Sequence, residues 1–454
     1  MNKAICILIS ILAFMASLSF SNSIIYVKLG CEIASYLFLI GVLDGSYLQK
    51  SIKITTICFV TFQLSYALRY ELIRILRIST NVLFYNGIQT EVALEGTFSY
   101  LAKNYFYILP VIVLCSGHGF SMERVEIDIL RLFRLSMLLA ILSYSYYIAN
   151  NLRLIQNRLI IYVWSNFQRY CYFAWFVFGY MFLGYKDKKV RVRGLIGMGM
   201  SFLFGLGAFA LLQMRFLLLY QFLIIGLVGV VLSERGLRSL IRPKVLFFGL
   251  LVFVAFYVST VLKFGIAKSG QILNFRFIGI VLDQLVMRVS TSFTEMLALS
   301  STAYGEYFAS SRDQMLYEVL GGLPFGGTVF SSYGTSVTID MYTNWIHANA
   351  VVDSSFNVPL TTMIYYVYGN IISSIVLFCI GAGHAILFKF VSSFKHSPIS
   401  WGIVLILQVQ FAFGGLRREN ILGMVNDIIF YFICIAVCSK SKDVNSMTSK
   451  NEFC

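Results

Sequence analysis

The chain has 454 residues, of which 58% are hydrophobic and 13% are charged, and its formal net charge is +15. Soluble domains carry about 25% charged residues, so this composition excludes a soluble globular protein and indicates an integral membrane protein. The excess of basic residues then points to anionic lipid surfaces and not to nucleic acid.

Apolar windows along the chain predict about twelve transmembrane helices, each suited to a hydrocarbon layer of roughly 30 Å. We therefore expect one all-α, polytopic membrane domain over residues 1–454. The first window can be an uncleaved span or a signal peptide, and the span is favoured because no clear small-residue cleavage site follows it. The windows centre on 4–21, 24–43, 54–70, 101–117, 129–149, 168–185, 194–213, 216–233, 244–262, 366–388, 400–416 and 421–438.

The densest basic loops, 186–193 and 234–244, and the segment after the last window predict the orientation of the chain. The positive-inside tendency places all three in the cytosol, together with both termini. The outer side then holds twelve Arg and four Lys, against eight Arg and twelve Lys inside. One guanidinium group can donate hydrogen bonds to two phosphate oxygens at once. The excess of arginine over lysine outside therefore predicts an anionic ligand at the outer face. Taken singly, each arginine can instead reach out to lipid headgroups.

Four basic residues are predicted where a span meets the outer face: Arg215, Lys263, Arg417 and Arg418. Arg417 and Arg418 open the twelfth window, where the free N–H groups of a helix N-terminus favour anions. A local ion pair with Glu419 is the alternative reading of these two arginines.

Charged residues deep within the predicted spans look scarce, with Asp427 as the main candidate. This scarcity argues against an ion-coupled transporter, which would carry carboxylates near the membrane midplane. The histidines and cysteines have no metal-ligand spacing, so no metal site is predicted.

One long connection, residues 263–361, follows the ninth window and lies in the periplasm by this orientation. Residues 282–301 within it are predicted to form an amphipathic helix that carries Arg288 and Glu295 on one polar face. A solvated helix face with no special role would show the same pattern. Residues 323–360 are rich in aromatic, amide and hydroxyl side chains. Such a composition is typical of a sugar-binding surface, and an ordinary structured loop can show it too. This segment also contains His347 and Asp353, which are alternative candidates for a catalytic base.

Four short segments carry a resemblance to a known family. They are "MRF" at 214–216, "VLKFG" at 261–265, "RVSTSFTEMLAL" at 288–299 and "RRENILGMVNDIIFYF" at 417–432. In order and spacing the chain resembles bacterial oligosaccharide repeat-unit polymerases of the Wzy type, which include O-antigen and enterobacterial common antigen polymerases. It departs from the pattern of an arginine, ten residues and a glycine found in the periplasmic loops of some members, since the nearest candidate, Arg312 to Gly321, is shorter.

The resemblance implies a GT-C-like glycosyltransferase of the bacterial inner membrane that uses neither a cofactor nor a metal. Its substrates would be oligosaccharides linked to undecaprenyl pyrophosphate, with the bilayer and a chain-length regulator as further partners. On this basis Glu295 is the expected general base, and His347 is the second choice. The expected pyrophosphate ligands are Arg215, Lys263, Arg288, Arg417 and Arg418. The alternatives are an O-antigen ligase that delivers the glycan to lipid A core and a flippase for the lipid-linked oligosaccharide.

Overall fold

The computed structural model describes about three fifths of the chain, and the regular structure of that part is α-helical apart from one antiparallel bridge between Ile127 and Ser439. The described residues are 2–21, 24–43, 45–76, 90–117, 126–152, 154, 170–212, 215–233, 250, 254, 258, 360–393, 398–412 and 418–439. Their helices are α1 (Lys3–Ser19), α2 (Ile25–Ile40), α3 (Tyr47–Leu76), α4 (Thr90–Cys115), α5 (Ile129–Asn151), α6 (Tyr170–Gly184), α7 (Lys188–Leu212), α8 (Arg215–Leu232), α9 (Leu360–Ser393), α10 (Pro398–Ala412) and α11 (Arg418–Cys438).

The expectation of an all-α membrane protein agrees with this part of the chain. Four stretches are long and apolar enough to cross a membrane: Leu94–Cys115, Ile129–Ala149, Lys188–Gly207 and Val367–Ser393. The other apolar helices are shorter, so the count of about twelve spans stays a prediction. The ninth predicted span, 244–262, lies outside the described residues except at Leu250, Val254 and Val258, which are all exposed.

Contacts at one end of the bundle show that the helices alternate in direction. Lys3 Nζ donates to the Ser116 carbonyl at 2.8 Å, which joins the start of α1 to the end of α4. Gln49 Nε2 donates to the Cys115 carbonyl at 3.0 Å, which adds the start of α3.

Tyr47 stacks on Trp401 at the start of α10, and Ser400 Oγ lies 3.1 Å from Tyr431 OH, which brings the last turns of α11 to the same end. There Asp128 N donates to the Cys438 carbonyl at 2.7 Å. We call this the Lys3 end. The sequence predicts that all these residues are cytosolic. Their grouping at one end of the bundle is consistent with that prediction. Which side of the membrane this end occupies stays a prediction.

The core is built around α6, whose residues from Tyr170 to Gly179 are all buried. Its aromatic side chains pack against α5, α8, α10 and α11. Trp175 Nε1 donates to Tyr144 OH at 3.1 Å, and Tyr144 OH donates to the Ser201 carbonyl at 2.9 Å. The indole and the phenol are thereby satisfied inside an apolar core, where an unpaired polar group would be costly.

Helix α9 is a hairpin of two helical arms and not one continuous span. Gly369 has φ 73° and ψ 176°, a conformation open to glycine because it lacks a Cβ. Ser373 Oγ donates to the Ile364 carbonyl at 2.8 Å, although nine residues of straight helix would rise about 13.5 Å. The short arm (360–368) therefore folds back on the long arm (370–393). The helix therefore begins before the predicted window 366–388, and the predicted loop 263–361 lies outside the described residues except for residues 360 and 361.

Candidate functional site

Three helices, α6, α8 and α11, run parallel, toward the same end of the bundle. Tyr172 stacks on Tyr220 with ring centroids 5.2 Å apart, which aligns the first turns of α6 and α8. Tyr170 stacks on Phe430 at 3.9 Å and its OH donates to the Asn426 carbonyl, while Phe173 packs on Phe430. Helix α6 thus runs in the same direction as α11 and begins beside its middle. Because α11 ends at the Lys3 end, all three helices run toward that end from the opposite side, which we call the Tyr170 end.

Two of the predicted pyrophosphate ligands mark helix starts at the Tyr170 end. Helix α8 begins at Arg215 and helix α11 begins at Arg418. The first N–H groups of a helix have no intrahelical partner and carry a partial positive charge, so both helix starts favour an anion at this end. The side chains of these two arginines are outside the described part of the structure.

The remaining predicted site residues lie wholly outside the described residues: Lys263, Arg288, Glu295, His347, Asp353 and Arg417. The predicted amphipathic helix 282–301 also lies there. The structure thus shows that α8 and α11 run in the same direction, and the expected cavity around Arg215 and Arg418 stays a prediction.

A second group of polar residues, which the sequence analysis missed, lies buried between α1, α2 and α4. Glu32 of α2 is fully buried and Lys28, one turn earlier, is 7% exposed. Lys28 lies over the Phe98 ring of α4, with Nζ 4.5 Å from the ring centroid. Glu32 is thus a buried acidic residue within a predicted span, in addition to the predicted candidate Asp427, and the sequence analysis did not name it.

Hydroxyl groups connect this buried region across the three helices. Ser17 Oγ lies 2.9 Å from Glu32 Oε2, which joins α1 to α2. Ser10 Oγ donates to the Ser35 carbonyl at 2.7 Å and lies 2.7 Å from Tyr105 OH, which joins α1 to α4. We call Ser10, Ser17, Glu32, Tyr36 and Tyr105 the polar seam. Polar groups inside a membrane bundle are costly and often mark a functional path.

The short arm of α9 brings further polar groups to the other side of α4. Thr361 Oγ1 donates to Asn104 Oδ1 at 3.1 Å, and Lys103 Nζ lies 5.0 Å from the centroid of the Tyr365 ring. Asn104 is near the middle of the candidate span Leu94–Cys115, so the start of the short arm reaches membrane depth.

The sequence does contain a pattern that indicates the polar seam: a stripe of polar residues at helical spacing. Residues 28, 32, 35 and 36 recur at helical spacing in an otherwise apolar window, so they share one face of α2. Averaging hydropathy over the window conceals such a stripe, because Leu and Ile on the other faces dominate the mean. The buried position of Asp427, which is 4% exposed, agrees with the sequence analysis.

No protein-family model, no curated protein and no solved structure matches this chain. Within the described ranges, no group of three or more His, Cys, Asp and Glu side chains is arranged to hold a metal ion. The case for a function therefore rests on the helix starts at the Tyr170 end, on the buried polar groups and on the resemblance of four short segments.

Proposed function

We propose that this chain is a membrane polysaccharide polymerase that joins oligosaccharide repeat units carried on undecaprenyl pyrophosphate. The reaction would take place at the periplasmic face of the bacterial inner membrane, in O-antigen or related surface polysaccharide synthesis. The proposal includes about twelve spans, cytosolic termini and a periplasmic loop at 263–361.

The observation that supports the proposal most is the parallel course of α8 and α11. Arg215 and Arg418 open two helices that start at the same end of the bundle, opposite the end that contains Lys3. That is the end assigned to the outer face by the basic loops. Two helix N-termini with an arginine at each are well suited to a ligand with two phosphate groups.

The chemistry of repeat-unit transfer explains why arginines are needed there. A hydroxyl of the incoming lipid-linked unit attacks the reducing-end sugar of the growing chain, and undecaprenyl pyrophosphate leaves. Negative charge develops on the leaving group, and fixed guanidinium groups neutralise it. In this scheme Arg215, Arg417 and Arg418 bind pyrophosphate, and Lys263 and Arg288 assist them.

The acceptor hydroxyl must lose a proton during the attack, so the proposal also needs a base. Glu295 is the first choice because it shares a predicted helix face with Arg288, and His347 is the second. Both belong to the long loop that would cover the outer site.

A flippase for the same lipid-linked glycan is the second candidate function. It is favoured by the buried Lys28 and Glu32, since charges within a membrane bundle are typical of transport paths.

An O-antigen ligase shares the donor and the arginines with the polymerase, and differs in its acceptor.

A deletion strain examined by polysaccharide gel tests the proposal. A polymerase deletion should abolish the ladder of repeat lengths while one repeat unit remains on the lipid A core. Loss of every unit from the core would contradict the polymerase and indicate a ligase or a flippase. Purified protein that extends lipid-linked repeat units in detergent would then separate glycosyl transfer from transport.

A further inference from the structure

The hydroxyl of Ser17 has two oxygen neighbours at hydrogen-bonding distance. Ser17 Oγ lies 2.7 Å from the Phe14 carbonyl oxygen and 2.9 Å from Glu32 Oε2. A serine hydroxyl supplies one proton, so with an ionised Glu32 the two oxygens must share it or one must go without. The carbonyl of Phe14 can only accept. Each contact has a hydrogen of its own if Glu32 supplies the second proton.

A protonated Glu32 satisfies both contacts at once. Its O–H donates to Ser17 Oγ, and Ser17 O–H donates to the Phe14 carbonyl. An ionised Glu32 would leave only one hydrogen for the two pairs. It would also leave a charge at a side chain with no exposed surface, and Oε1 has no hydrogen-bond partner among the described residues. A buried carboxylate with so little support is costly, and a neutral carboxyl is not.

Titratable groups of α2 and α4 lie around Glu32. On its own helix, Lys28 lies over the Phe98 ring and Tyr36 OH donates to the Leu101 carbonyl at 2.8 Å. On α4, Tyr105 OH bonds to Ser10. From α1, Ser10 and Ser17 contribute hydroxyl groups.

We propose that Glu32 and Ser17 form a proton-binding site inside the helix bundle, in which Glu32 holds a proton at neutral pH and Ser17 accepts its hydrogen bond. The ligand is the proton itself. The site lies on α1 and α2, and it does not depend on the proposed glycosyl transfer.

Infrared spectroscopy of the purified full chain tests the site by the vibration of the carboxyl group itself. A solvated glutamate with a pKa of about 4.3 is protonated in only about one molecule in 500 at pH 7. At that pH we expect the wild-type spectrum to contain a carboxylic acid C=O band that shifts in D₂O and that is lost in Glu32→Gln. Glu126→Gln is the matched control, since Glu126 is exposed, and it should keep the band. Because Asp427 is also buried, the decisive signal is the difference between the wild-type and Glu32→Gln spectra. An acid band of unchanged position and intensity in Glu32→Gln, or no such band in the wild type, would overturn the proposal.

Two further variants distinguish a protonated Glu32 from an ionised Glu32 that is paired with Lys28. Lys28→Gln should leave the acid band unchanged at pH 7, because Glu32 is neutral beside it. If the band is absent from the wild type and present in Lys28→Gln, Glu32 is ionised against Lys28 and the proposal is wrong. Ser17→Ala should shift the position of the band, because it removes the acceptor of the acid proton. An unshifted band would remove Ser17 from the site.

Discussion

Ser373 Oγ donates a hydrogen bond to the carbonyl of Ile364 at 2.8 Å across the turn at Gly369. A second contact across the same turn joins Tyr365 OH to Ser374 Oγ at 2.8 Å. Together they hold the short arm of α9 against its long arm. Residues 360–365 of the short arm are all buried, whereas the turn at Gly369 is exposed. The hairpin is therefore held by contacts between its arms and not by burial of the turn.

Replacing Gly369 by alanine should destabilise the hairpin. Its φ of 73° combined with ψ of 176° is a region occupied almost only by glycine, and forcing a side chain into it costs about 1–3 kcal/mol. We expect a lower midpoint of thermal unfolding for Gly369→Ala in detergent.

Gly383→Ala is the matched control for that measurement. Gly383 lies in the long arm of the same helix, and a Cβ there would meet no atom within 4 Å. Alanine is favoured over glycine in a helix by about 1 kcal/mol, so this variant should be as stable as the wild type or more stable. Equal midpoints for Gly369→Ala and the wild type would show that the turn is not constrained as described.

Gly381→Ala should disturb the packing of α9 on α4. A Cβ at Gly381 would collide with the carbonyl oxygen of Tyr107 and approach Pro110 Cγ to 2.8 Å. Backbone atoms cannot move aside as a side-chain end can, so the helices must separate. Overpacking of this kind costs typically about 1–3 kcal/mol, and the same unfolding assay should show it. A midpoint equal to that of Gly383→Ala would mean that the helices do not approach so closely.

The sequence predicts the order of the helices well because the apolar windows are separated by polar or basic turns. It does not predict the hairpin of α9. Both arms are apolar, so a hydropathy window spans Gly369 without interruption. The fold of this segment depends on contacts between Thr361 and Asn104, which are far apart in the sequence.

The polar seam was missed for a related reason. Glu32 is stabilised by Ser17 on another helix, and only the packing of α1 on α2 brings the two together. By contrast, the shared direction of α8 and α11 agrees with the predicted span count, because alternate helices run in the same direction.

Arg418→Lys should abolish most polymer formation although the charge is kept. Arginine binds two phosphate oxygens with a planar fork, and lysine offers only a point charge. The measurement is the distribution of repeat lengths on a polysaccharide gel at native expression.

Arg131→Lys is the control for the same assay. Arg131 is exposed near the Lys3 end, where it pairs with Asp128 at 3.4 Å, and an exposed pair contributes only about 0–1 kcal/mol. It should give a normal ladder. A normal ladder from Arg418→Lys as well would show that a positive charge alone suffices at that position.

Extension of lipid-linked repeat units should continue in excess chelator. In the proposed scheme guanidinium groups neutralise the leaving pyrophosphate, so no divalent cation is needed for that step. The measurement is product length with EDTA, and then with Mg²⁺ or Mn²⁺ restored. Activity that is lost with EDTA and regained with either metal would refute the arginine account.

The variants Glu295→Gln and Arg288→Ala should have different effects on the reaction. A general base contributes about 10²- to 10⁴-fold to the rate, whereas a residue that holds pyrophosphate contributes to binding and to departure. Glu295→Gln keeps the size and polarity of the side chain, so we expect near-normal donor affinity and slow turnover. Arg288→Ala should weaken donor binding as well.

Single-turnover extension at saturating donor separates these effects, since substrate binding no longer limits the rate. If Glu295 and Arg288 are only solvent-exposed side chains on a helix face, both variants should extend chains almost normally. If both variants are lost from the membrane, the pair is structural, and His347 or Asp353 becomes the base to test. A rate for Glu295→Gln within about threefold of the wild type would exclude Glu295 as the base, since even the weakest general base contributes more than that.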